Sequence, residues 1–155
     1  MAATSTNKQP LLVDHILHNA LNLDTAINDG LDILGTNTAV VLVDSTTADG
    51  AVIEDIYTIA RGTAPYPVNL YLSTARDYLR PNQAIYIGQL TSATTRGSVT
   101  HWEEMPRVLT PVPQVGDQRY NNALYVPKGR ALWAARDSGI TVNDGPIIGC
   151  QGGWY

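Results

Sequence analysis

Apolar positions recur along this chain at two different periods, and the change falls near Gly35. Leu12, Ile16, Ala20 and Leu23 lie three or four residues apart, the repeat of one helical face, which predicts a short amphipathic helix over Leu11–Leu23. Before it, Met1–Gln9 is polar and without period, an expected extended arm that Pro10 closes. After it, Asn28-Asp29-Gly30 supplies turn chemistry.

Beyond Gly35 the rhythm is that of strands. AVVLVDST is a compact β-branched run that ends in the polar TTADG. In VIEDIYTIARG, strict alternation places Ile53, Asp55, Tyr57 and Ile59 on one face and Glu54, Ile56, Thr58 and Ala60 on the other. PVNLYLS alternates with Val68, Leu70 and Leu72 inward and Asn69, Tyr71 and Ser73 outward. AIYIGQL, RVLTPVP, ALYVP, GRALWAAR, ITV and PIIGC follow, separated by Pro, Gly and polar loops such as TSATTRGS. Short strands at intervals of about ten residues predict an all-β fold, an antiparallel β-sandwich or barrel with an N-terminal extended arm and short helix. The expected organisation is residues 1–34 as arm and helix and residues 35–155 as the β-sandwich domain. A mixed α+β domain with the helix packed across one sheet is the alternative. No repeat of solenoid or propeller period is visible.

Composition narrows the function. Charged residues make up 15% of the chain and the formal net charge is −4, so no basic stripe is present to release counterions from nucleic acid. The 3 Trp and 8 Tyr, with no Phe, give every aromatic ring a polar handle suited to interfaces. No apolar run exceeds Ala39–Val43, far short of a helical membrane span. The start MAATSTNKQP has no apolar core behind a basic segment, so no signal peptide is expected. The expectation is assembly in a cytoplasm, with neither nucleic acid nor membrane as partner.

Three constellations could carry chemistry. His101-Trp102-Glu103-Glu104 brings two carboxylates beside an imidazole, but adjacent strand residues face opposite ways, so Glu103 and Glu104 do not converge as a glycosidase pair must. The expected role is a polar loop before Met105-Pro106. Asp14-His15-Ile16-Leu17-His18 places two histidines on one side of a helix, with Asp24 or His101 as candidates for a third metal ligand. It lacks the spacing and glutamate of a metalloprotease helix, and solvated or interfacial histidines are the expectation. Cys150, the sole cysteine, needs a base and a lowered pKa to act as a nucleophile. All three histidines lie at or before His101, and the run Pro146-Ile147-Ile148 favours a small packing residue at position 150. One cysteine forms no internal disulfide and no zinc site. The chain has no Walker loop, dinucleotide fingerprint or nucleophile elbow. No cofactor, metal or catalytic residue is therefore expected. Trp102, Trp133 and Trp154 are candidates for a carbohydrate-stacking platform, against the plainer reading of core or interface residues.

The segments TSTNKQPLLVD, PVNLYLSTARDYL, ALYVPKGRALWAA and the terminal GGWY resemble virion structural proteins of tailed phages that infect cyanobacteria. The resemblance spans nearly the whole chain and implies a particle component with no catalytic residues. It implies the major capsid protein or neighbouring virion subunits as partners and the virion as location. Leu11, Leu12 and Val13 would dock the arm on an adjacent subunit, and Trp154 and Tyr155 would fasten the C-terminal end. The expected function is a capsid decoration (cement) protein on the outside of the head, as a homo-oligomer with a trimer as candidate state. A neck, collar, tail or fibre-attachment subunit is the alternative, and a glycan-binding host-attachment module a further one.

Overall fold

The β-branched and Leu-rich runs read from the sequence pair into two antiparallel sheets in the computed structural model, which describes residues 15–24, 39–73, 84–102, 123–137 and 144–154. Nine strands are present, and no helix among the described residues: β1 His15–Asn22, β2 Val40–Asp44, β3 Gly50–Ile59, β4 Pro67–Ser73, β5 Ile85–Thr91, β6 Val99–His101, β7 Leu124–Pro127, β8 Ala131–Arg136 and β9 Ile147–Trp154. Sheet A runs β1-β9-β3, with β6 and β7 sharing the remaining edge of β3; sheet B runs β2-β8-β4-β5. The all-β expectation holds, and its form is a sandwich of two sheets.

The helix expected over Leu11–Leu23 is corrected. His15–Asn22 is a strand paired along its whole length with β9, from His15 opposite Trp154 to Asn22 opposite Ile147. Leu17 and Leu23 are buried and Leu21 packs against the core, a two-residue period that the three- and four-residue spacing of Leu12, Ile16, Ala20 and Leu23 concealed. Ile16, counted to the apolar helical face, is 88% exposed. A sheet partner in β9 outweighs weak local periodicity. The arm over Met1–Gln9 lies outside the described residues.

The core between the sheets is built from Leu17, Ile53, Ile56, Ile148 and Cys150 of sheet A and Leu42, Val68, Leu70, Leu72 and Leu132 of sheet B. Each such aliphatic side chain stabilises the fold by about 1.5–3 kcal/mol on full burial. Val68, Leu70 and Leu72 face inward as expected. The outward partners Asn69, Tyr71 and Ser73 are also buried, however, and Tyr71 joins Ala131, Trp133 and Ala135 in a second cluster on the far face of sheet B. Sheet B is thus covered on both faces.

β3 contains the irregularity that matters for the site. Opposite β9, Ile53 pairs with Gly152 and Asp55 with Gln151, so Glu54 is an extra residue, a β-bulge. It reverses the alternation: Ala51 and Ile53 point into the core before it, Ile56 and Thr58 after it. The expected grouping of Ile53 with Asp55, Tyr57 and Ile59 is therefore corrected. Ile53 faces the core, while the other three share the outer face of sheet A.

Candidate functional site

With the bulge in place, the registers of sheet A set four rows of residues across its outer face. One row is Ile16, Gly153, Val52 and Tyr125; the next is His18, Gln151 and Asp55. Then come Ala20, Gly149, Tyr57 and His101, and last Asn22, Ile147, Ile59 and Val99. The outer rows are largely apolar and the inner two polar and aromatic.

Tyr57 is the centre of the inner rows. A Cβ on Gly149 would fall 2.3 Å from its Cζ and 2.5 Å from its hydroxyl oxygen, so the ring lies down over β9 where only a glycine leaves room. Its hydroxyl thereby reaches across β9 to His18 Nε2 on β1, at 2.9 Å. On the other side, His101 Nδ1 is 2.9 Å from Asp55 Oδ2, and the Gln151 amide donates to the same oxygen at 3.5 Å. The rings of His18 and His101 flank Tyr57 at centroid distances of 6.4 and 6.1 Å, tilted by 48° and 49°. Burial, with smaller contributions from Cys150 and Asp55, raises the Tyr57 pKa, so the phenol stays protonated at neutral pH.

The structure thus brings together two of the histidines weighed as metal ligands, His18 and His101, but through a tyrosine. Asp24 lies elsewhere, Asp14 lies outside the described residues, and no group of three His, Cys, Asp or Glu suited to a metal occurs among the described residues. His15 begins β1 opposite Trp154. Glu103 and Glu104 lie outside the described residues.

Asp24 instead ties one end of the sandwich. Its carboxylate accepts from Arg61 Nη1 at 2.9 and 2.7 Å, from the Gly145 N–H at 2.9 Å and from Asn22 Nδ2 at 2.9 Å. The buried Arg136 of β8 donates to the Asp24 backbone carbonyl. Burial by itself would raise the Asp24 pKa, but the hydrogen bonds from Arg61 and Asn22, the Arg61 charge and the Gly145 N–H outweigh it and hold the carboxyl below its usual range. This cluster joins the ends of β1, β3, β8 and β9, which is a structural task.

Cys150 points into the core with no exposed surface. Burial is the main cause that pushes its pKa up to about 12, against a lowering hydrogen bond from Asn19. No thiolate is present near neutral pH, and the packing reading stands. The tryptophans do not form a platform. Trp133 is 3% exposed in the far cluster of sheet B, while Trp102 and Trp154 are partly buried against the main core. Of the residues expected at an interface, Trp154 ends β9 between His15 and Ala51. Leu11, Leu12, Val13 and Tyr155 lie outside the described residues.

Tyr57, Asp55 and Gln151 were not singled out from the sequence, and strict alternation had grouped Asp55 and Tyr57 with the core residue Ile53. The available signal was Gly149, a glycine inside a strand run, which marks a close approach by another group. Comparison with family models, with curated proteins and with solved structures found no match to this chain.

Proposed function

We propose that the protein is a virion structural subunit, a capsid decoration (cement) protein that binds the outside of a phage head. Its partners in this reading are the major capsid protein and neighbouring copies, with a trimer as the candidate state. The observation that carries the reading is the edge of sheet B. β5 is the terminal strand of that sheet among the described residues, and its Ile85 and Tyr86 are 42% and 53% exposed. An edge strand with adjacent exposed apolar side chains is a template for pairing with another chain.

Other features agree. The resemblance segments include β4, the β7–β8 connection that passes from sheet A to sheet B, and the end of β9, all parts of the two paired sheets. The buried thiol and the open setting of the histidines favour a contact-making module over a cleft enzyme. A formal charge of −4 suits an exterior position better than one lining DNA.

Electron microscopy of purified particles, with the protein labelled through a C-terminal tag, tests this. The expected result is label at repeated lattice positions on the outer head surface. Label confined to the neck or tail overturns the cement placement, and particles without the protein overturn the virion reading.

A further inference from the structure

We propose that the outer face of sheet A carries a binding site for a neutral saccharide, centred on Tyr57. A pyranose presents an apolar face of C–H groups surrounded by a rim of hydroxyls. A site for it needs an aromatic ring lying along the surface, with donors and acceptors around the ring's edge.

Both parts are present. Gly149 lets the Tyr57 ring lie on β9, so one side rests on backbone, and the residue as a whole is half-buried on the outer face of sheet A. The flanking imidazoles of His18 and His101 are tilted against the ring at more than 6 Å, beside it and not stacked upon it. Around the rim stand the ring nitrogens of His18 and His101, the Asp55 carboxylate and the Gln151 amide, which together supply acceptors and donors. The His101 side chain keeps 60% of its surface exposed, so the half of its ring not bonded to Asp55 is within reach of a ligand.

The rim is also held in place before any ligand arrives. His18 is hydrogen-bonded to Tyr57 and His101 to Asp55, with the Gln151 amide 3.5 Å from the same carboxylate, which reduces the side-chain freedom lost on binding. The rows of Val52 and Tyr125 on one side and Ile147, Ile59 and Val99 on the other give the patch an apolar border. Charge selects among sugars. The Asp55 carboxylate and a net charge of −4 disfavour uronic and sialic acids and leave neutral hexoses. The site differs from the platform for which the tryptophans were candidates, and it uses the outer face of sheet A where the proposed function uses an edge of sheet B, so either reading can fail alone.

The test applies the full-length chain to an array of neutral and acidic oligosaccharides and then measures saturation-transfer NMR with the bound members. The expected result is binding of neutral glycans, with transfer concentrated on the C–H face of one sugar ring. Tyr57→Ala should weaken it roughly tenfold or more, the usual consequence of losing a stacked anchor. Gln151→Ala, a change at an exposed position, should weaken it severalfold, and Tyr57→Phe should retain the stacking transfer. Trp102→Ala should leave affinity unchanged. If Tyr57→Ala fails to fold, Gln151→Ala and Tyr57→Phe decide the matter. No neutral glycan bound at millimolar concentration, binding of acidic glycans alone, affinity indifferent to Gln151→Ala, or loss of the transfer in Tyr57→Phe overturns the proposal.

Discussion

Two glycines of β9 show how the same substitution has different consequences on the two faces of one strand. At Gly149 an added Cβ meets the end of the Tyr57 side chain, which can swing outward into solvent. At Gly152 it would lie 2.0 Å from the Val52 carbonyl oxygen and 2.9 Å from the Ile53 Cα, both backbone atoms of a paired strand. Gly149→Ala is therefore expected to lower stability by about 1–2 kcal/mol, within the range for overpacking, and to break the His18–Tyr57 hydrogen bond. Gly152→Ala should lower it by at least about 3 kcal/mol, because β3 and β9 must separate locally. Urea denaturation of the two variants checks the order, and a Gly152→Ala protein as stable as Gly149→Ala would refute this account of the β9 packing.

At the scale of the element, β3 explains both what the sequence revealed and what it hid. Its β-branched content and the flanking Gly50 and Gly62 mark it as a strand, as the alternation of PVNLYLS marks β4 and the Ile147-Ile148 run marks β9. What periodicity alone does not show is the bulge, because a single extra residue leaves composition unchanged while exchanging the two faces. The candidate site depended on that exchange: Asp55 and Tyr57 join the outer face only because Glu54 is inserted opposite β9. β1 was hidden for a related reason. Its helical spacing is a coincidence of Ile16 and Ala20, both exposed, with Leu23, which is buried. Deleting Glu54 separates these effects from simple side-chain loss. Glu54→Ala, at an exposed position, should change stability by less than about 0.5 kcal/mol. Deletion of Glu54 forces either Ala51 and Ile53 out of the core or Asp55 and Tyr57 into it, and should abolish cooperative unfolding in a calorimetric scan. A deletion variant that melts like the parent would show that the bulge does not set the faces of β3.

For the whole molecule, the question is what keeps the strands together at the end of the sandwich where β1, β3 and β8 finish and β9 begins. Hydrophobic burial is non-directional and does not fix strand ends against one another; Asp24 does so by accepting from Arg61, Asn22 and Gly145, while its carbonyl accepts from Arg136. The lowered pKa of Asp24 makes this tie depend on pH. In the unfolded chain the carboxyl titrates near 3.9, and in the fold it holds its negative charge to lower pH. Its contribution to stability is therefore complete above the unfolded value and is lost as pH falls through the folded one. Asp24→Asn keeps the shape but removes the charge, and at pH 7 should lower stability by about 1.5–3 kcal/mol, the range for hydrogen bonds to charged groups. Below the folded pKa the carboxyl is neutral in both states, so the difference between wild type and Asp24→Asn should shrink as the pH drops from 5 toward 2. Arg61→Gln should give a similar loss at pH 7, and the double variant less than the sum of the two, since both single changes break the same ion pair. Melting curves for the four proteins across that pH range decide it: a gap that is constant with pH, or losses that add in the double variant, would mean that Asp24 acts by packing alone and that the charge contributes nothing to holding this end closed.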